Sequence, residues 1–280
     1  MRPLLRPTIP TERLSARPAY ALLLNVFGPY CALSEEPLYD VASVWDKSSN
    51  AEFKGTQPPL KRWNDLLLLS PSVCDAWRRH HDVDVTNLML PDEERTFQLE
   101  DSPFVYELEK ANRLVLDEDD KICPESGTEE IVIVRGTNPK AEATIETFSL
   151  NSEYFNMETN ELRIPREDYY SRQDALLRNR TIAWQRASVA AEQIAGLFGA
   201  SRRLLTAQLQ MSAAATGHWS VWATVLWNRL RDGAFIGQLL GGQTQGQTDQ
   251  DLIGFGPHNE FPGTAPGWSL LAARRIAATG

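Results

Sequence analysis

Three cysteines, at positions 31, 74 and 123 of a 280-residue chain, are too few and too scattered for a disulfide framework. Their number is odd as well, and the pattern points to a reducing cytoplasm. Histidine is scarce: there are four, and none precedes His80. Long apolar runs are missing; the longest, Ala19 to Leu24 and Leu66 to Leu69, are far too short to span a bilayer. Proline and charge interrupt Met1 to Pro10, so these residues make no signal-peptide core. No glycine-rich loop is followed by Lys-Ser/Thr, which excludes a P-loop, and Leu239-Leu-Gly-Gly242 follows a helical pattern, not a strand. No Gly-x-Ser-x-Gly elbow is present.

What is there describes a soluble globular chain. Apolar residues make up 42% and charged residues 23%, with eight tryptophans, enough for a core that needs no covalent staples. The net charge of −9 is localised. Residues 1–91 balance ten acids against ten bases, whereas residues 92–130 hold fourteen acids against four bases. That segment reads as a solvated acidic face or, alternatively, a docking surface for a basic partner. A duplex-binding surface needs clustered Lys and Arg, and the chain as a whole is not basic.

Patterning divides the chain into three stretches. In the first, Pro18 to Val26 is expected to be a short helix closed by Gly28-Pro29. Asp40 to Ala51 reads as a strand with a polar loop, and Trp63 to Leu69 as an apolar stretch feeding a helix over Ser72 to His80. In the second, Phe104 to Leu116 and Ile131 to Val134 read as strands and Ala141 to Leu150 as a helix, with polar loop from there to Asp168. In the third, Trp184, Ala187, Ala191, Ile194 and Phe198 recur at helical spacing, with Gly199 as the stop. Further helices are expected over Arg202 to Met211 and His218 to Leu230, followed by a polar joint from Gln243.

Several short motifs occur in a telling order. Tyr30-Cys31-Ala-Leu-Ser34-Glu35 is followed some thirty residues later by Arg62-Trp63-Asn64-Asp65-Leu-Leu-Leu-Leu-Ser70-Pro-Ser-Val73-Cys74. This layout resembles bacterial HNH endonucleases, in which "Tyr-Cys-x-x-Cys-Glu", a Glu-His segment and "Trp-Asp-Asn-Leu-Leu" before a second Cys-x-x-Cys build a zinc-braced ββα unit. Ala143-Thr-Ile145-Glu-Thr-Phe148-Ser-Leu150-Asn151, the arginine-bearing Leu176 to Trp184, His218-Trp-Ser220-Val-Trp222 and Phe261-Pro-Gly-Thr264 are similar to later segments of the same proteins. The resemblance thus spans most of the chain. It implies a frame shared with the HNH components of antiviral systems, including those paired with an ATPase in Septu-type defence.

The chemistry of that family is largely missing from these positions. Ser34 stands at the second cysteine, Ser70 and Val73 at the second pair with Cys74 one place out of step, and Trp45-Asp46 where the Glu-His is expected. HNH hydrolysis needs a histidine to activate water and a divalent metal such as Mg²⁺. The expected fold class is therefore α+β: a degenerate ββα module over residues 1–90, an acidic mixed segment over 91–168 and a helical region over 169–280. The expected function is a pseudo-nuclease scaffold or regulatory subunit of a cytoplasmic complex. Its partner would be an ATPase or an intact HNH subunit, with DNA met through the complex, no cofactor and no membrane.

Two alternatives remain open. A divergent metal-dependent nuclease would use Asp40, Asp46 and His80 or His81. Zinc would then sit on Cys31 and Cys74, whose alternative is burial as free thiols, or Mg²⁺ among Glu35, Glu36, Asp40 and Asp46. A nucleic-acid-binding module would use Arg178, Arg180, Arg186, Arg202 and Arg203, against the plainer reading of a solvated helix surface. His218 and His258 could enter a site only through tertiary folding. Trp184, Trp219, Trp222 and Trp227 are expected mainly in the core.

Overall fold

The computed structural model describes residues 1–2, 4, 13–38, 42–54, 60–80, 83–92, 102–171, 175–197 and 199–240, and shows a mixed α+β architecture. The first part holds β1 (Arg13–Leu14), α1 (Ala16–Phe27), β2 (Ser43–Asp46), β3 (Ala51–Glu52), β4 (Lys61–Arg62), β5 (Leu66–Leu69) and α2 (Pro71–Arg79). In α1 the apolar Ala19, Leu23, Val26 and Phe27 share one buried face, as spacings of three and four residues dictate. Gly28 ends the helix at φ 76°, returning its N–H to the Leu24 carbonyl at 3.0 Å.

β2 is the centre of a three-stranded sheet in the order β3-β2-β5. It runs antiparallel to β5, with Val44 opposite Leu68 and Trp45 opposite Leu67. All four leucines of β5 are buried, so the strand is covered on both faces, which explains why it lacks polar alternation. Pro71 opens α2, where its missing N–H costs nothing, and Val73, Cys74, Ala76 and Trp77 turn inward. Two antiparallel strands thus lead into a helix that packs on them through Trp77, whose ring lies 5.2 Å from that of Trp45.

The middle part holds β6 (Phe104–Leu116), β7 (Gly127–Gly136), α3 (Pro139–Thr147), β8 (Phe155–Asn156), β9 (Glu161–Pro165) and α4 (Arg166–Ser171). β6 and β7 form a long antiparallel hairpin within a four-stranded sheet, β7-β6-β9-β8. The stretch expected to be loop up to Asp168 instead contains β8, β9 and the first half of α4. Only Leu162 and Ile164 alternate there, too short a pattern to stand out, and β9 is fixed by its parallel pairing with β6.

The last part is helical: α5 (Ala175–Ala195), α6 (Gly199–Thr216), α7 (Trp219–Leu230) and α8 (Gly233–Leu240). Gly199 opens α6 and does not stop α5, which already ends at Ala195. One hydrophobic cluster runs from α1, β2, β5 and α2 through β6, β7 and α3 into α5–α8, so the three expected segments share a core. A second, small cluster of Ala111, Ile131, Ile133, Leu162, Ile164 and Leu177 lies on the other face of the four-stranded sheet. Trp219, Trp222 and Trp227 are buried and Trp184 is half-buried against the core. Among the described residues no helix is long and apolar enough to cross a membrane.

Candidate functional site

The segment Tyr30–Leu38 folds into a knuckle held by backbone hydrogen bonds. Tyr30 and Pro37 form a bridge pair, Cys31 N–H donates to the Glu36 carbonyl at 2.9 Å, and Glu35 N–H donates to the Cys31 carbonyl at 3.0 Å. Ala32 N–H reaches the Leu68 carbonyl at 2.8 Å and pins the knuckle to β5. Ser34 Oγ donates to Glu36 Oε2 at 2.9 Å. Burial of the Glu36 side chain raises its pKa, against the opposing hydrogen bond from Ser34.

Glu35 sits at φ 63°, a left-handed conformation that costs a non-glycine residue roughly 1 kcal/mol. That turn aims its carboxylate into the protein, where the residue is only 3% exposed. Oε1 accepts from Arg2 N–H at 2.5 Å and from Ser220 Oγ at 2.6 Å, and Oε2 accepts from Ser220 N–H at 2.7 Å. The Met1 α-amino group lies 3.7 Å from Oε1 and donates to Tyr106 Oη at 3.0 Å. The Arg2 guanidinium donates to the Phe27 carbonyl at 2.9 Å, at the C-terminus of α1 where a cation is favoured. Its pKa is still lowered by burial, to about 10.

The knuckle also holds the α6–α7 turn. Glu35 O accepts from His218 N–H at 2.9 Å, and Tyr30 Oη donates to the Ala214 carbonyl at 3.0 Å. At Gly217, φ 64°, a Cβ would lie 2.4 Å from Glu35 O, so no side chain fits between the two segments.

A second set of contacts extends this polar lining across the sheet. Asn151 mimics a neighbouring strand at β7: its Oδ1 accepts from Val134 N–H and its Nδ2 donates to Val134 O, both at 2.7 Å. Thr181 Oγ1 accepts from Val132 N–H at 3.0 Å. Arg180 donates to the Leu150 carbonyl at 2.7 Å and to Asn151 Oδ1 at 3.3 Å, with its guanidinium over the Tyr106 ring. Burial lowers the Arg180 pKa and raises that of Tyr106.

Arg180 is therefore withdrawn from the expected basic face: at 2% exposure it is committed to backbone carbonyls and cannot reach a phosphate. Arg178 is half-buried and Arg186 exposed on α5, while the side chains of Arg202 and Arg203 lie outside the described residues. Cys31 and Cys74 are both buried in the main cluster and are electrostatic neighbours. Burial pushes the Cys74 thiol up to about 12, with Cys31 adding to the shift against a Ser43 hydrogen bond.

Asp46 ends β2 and is also buried, but its partners are local. Lys61 Nζ lies 2.6 Å away, Ser48 donates from both N–H and Oγ, and Ser49 Oγ donates to Oδ2. Burial works against this carboxylate, but the hydrogen bonds from Lys61, Ser49 and Ser48 outweigh it and hold its pKa below the ordinary range. Beside it Trp45, Trp77 and Phe148 pack ring against ring at 5.2 to 5.7 Å. His80 is exposed at the end of α2, and Asp40 and His81 lie outside the described residues. Among the described residues no three His, Cys, Asp or Glu side chains are grouped to hold a metal ion.

The arrangement thus braces a fold. The residues that meet, Glu35, Asn151, Arg180 and Ser220, each fall in a different one of the short motifs of the sequence. That common membership was the available signal; their convergence was not visible in it. No protein-family description, curated protein or solved structure matches the chain.

Proposed function

We propose that the chain is a non-catalytic HNH-like subunit, a scaffold or regulatory partner in a bacterial multi-protein complex of the antiviral kind. The observation that carries this reading lies in β2, β5 and α2. These elements have the strand–strand–helix order of a ββα unit, yet the position expected to hold the Glu-His holds Trp45 and Asp46. Trp45 is 1% exposed and packed by Trp77 and Phe148, which supports replacement of metal bracing by apolar burial. Asp46 is occupied by Lys61, Ser48 and Ser49 and has no histidine beside it among the described residues. A frame without a base or ligands performs no hydrolysis but keeps a shaped surface for a partner.

The test has two arms. The purified chain, incubated with plasmid DNA and Mg²⁺, Mn²⁺ or Zn²⁺, should nick no faster than its Asp46→Ala variant. Size-exclusion chromatography with an ATPase or an intact HNH protein encoded beside it should give a stable complex. Metal-dependent cleavage lost in Asp46→Ala would overturn the reading in favour of a divergent nuclease.

A further inference from the structure

His218 is placed as few histidines are. It occupies a left-handed conformation, φ 54° and ψ 51°, at the head of α7 and is 1% exposed. Its N–H is held by the Glu35 carbonyl, and its own carbonyl starts α7 by accepting from Val221 and Trp222 at 3.0 and 3.2 Å. Its imidazole Nε2 is buried and has no hydrogen-bond partner. The neighbouring Gly217 packs directly against the Glu35 carbonyl, so the turn that carries the ring is held close to the knuckle.

We propose that the His218 turn is an acid-released clasp: protonating the buried imidazole frees the α6–α7 turn and the head of α7 from the knuckle, while the four-stranded sheet keeps its pairing. An imidazolium at this position would carry an Nε2–H with no acceptor and would sit at a helix N-terminus, where positive charge is disfavoured. Relief comes only by moving the turn, which also relaxes the strained backbone at Glu35 and His218.

The charged and titratable groups lining this space are Arg180 from α5, Tyr106 from β6, Glu35 and Glu36 from the knuckle, and Arg2 with the Met1 α-amino group. Burial first, then Arg180, depress the His218 pKa to about 3, a Ser34 backbone hydrogen bond opposing them. A histidine depressed in the folded state keeps its full contribution to stability above its unfolded pKa of about 6.5. It loses that contribution as pH falls from there toward about 3. Open turn should therefore rise by up to about tenfold for each pH unit below about 6.5. Glu36, raised by burial, works in the opposite sense. The Met1 α-amino group, lowered by burial to about 5, works in the same sense from about pH 8 downward and must be separated by a variant.

The experiment is hydrogen exchange by mass spectrometry on the full chain at pH 7.5, 6.0 and 5.0, corrected for intrinsic rates. Peptides covering 213–225 should lose protection as pH falls while those covering 128–135 do not, and His218→Asn, a residue that tolerates φ above zero, should flatten the response. Equal protection of 213–225 at all three values overturns the clasp. Simultaneous opening of both regions, or an undiminished response in His218→Asn, does so too. Should that variant fail to fold, imidazole NMR of the unaltered chain decides. A His218 ring titrating near 6.5 with 213–225 still protected overturns the clasp, and a ring neutral until the turn opens supports it.

Discussion

Two buried carboxylates, eleven positions apart in the first part of the chain, have opposite reach. Asp46 is bound by Ser48 and Ser49 of the turn that follows it and by Lys61 of β4, fifteen residues on. Glu35 is bound by Arg2 and Ser220 and so joins the first residues to the last third of the chain. The first stabilises a local loop and the second decides how distant segments meet. The difference is one of burial and partner exposure: Lys61 retains 22% of its side-chain surface, whereas Arg2 and Ser220 are at most 2% exposed. Water can substitute for part of the first interaction but for none of the second.

The strongest way to break this contrast is Glu35→Ala, which leaves Arg2 and Ser220 without their acceptor in the interior. Removing one partner of a buried ionic cluster costs about 3–5 kcal/mol, to be read from the urea midpoint and slope. A loss under 1 kcal/mol would mean that the knuckle is not the joint between the halves. Ser220→Ala should cost less, about 1–3 kcal/mol, and the double variant should deviate from additivity by at least about 0.5 kcal/mol. Additive losses would show that the two groups are not coupled.

Asn151→Ala should come next, at about 1–3 kcal/mol, because Val134 N–H and C=O would lose their only strand-like partner on that side. Amide exchange at Val134 is the sharper readout. Lys61→Met sharpens the comparison from the other side, with an expected loss of about 1 kcal/mol or less for a partly exposed pair. The folded pKa of Asp46 is depressed, so its contribution is present above the unfolded value of about 3.9 and is lost as pH falls through the folded value. In acid titrations, Asp46→Asn should therefore remove stability dependence below pH 4 and leave the window from 6.5 to 5 unchanged. Smallest of all, Arg186→Ala on the exposed face of α5 should move stability by no more than about 0.5 kcal/mol.

Much of the local structure was legible. The Gly28-Pro29 stop of α1, the apolar run of β5 with the helix α2 after it, and the β-branched run in β7 each state their element through steric preference and burial pattern. Other parts were not. β9 has only two inward apolar residues and exists because β6 offers it a ladder. Gly199 looked like a terminator because glycine commonly ends helices, but α5 stops earlier and the glycine begins the next helix.

The candidate site divides the same way. Serine at position 34, tryptophan at 45 and the lack of an early histidine could be read directly, since side-chain chemistry is fixed by residue type. Arg180 could not be assigned to surface or interior, because a helix carrying several arginines gives no sign of which one the sheet will cover. What the sequence determined by itself was the set of local elements and the chemistry they lack. Only the tertiary structure decided that Glu35 points inward to Ser220, that Asn151 completes the edge of β7, and that His218 is sealed beneath the knuckle. Those outcomes depend on which buried polar groups find partners across 17 to 185 residues of chain, and no local pattern encodes that choice.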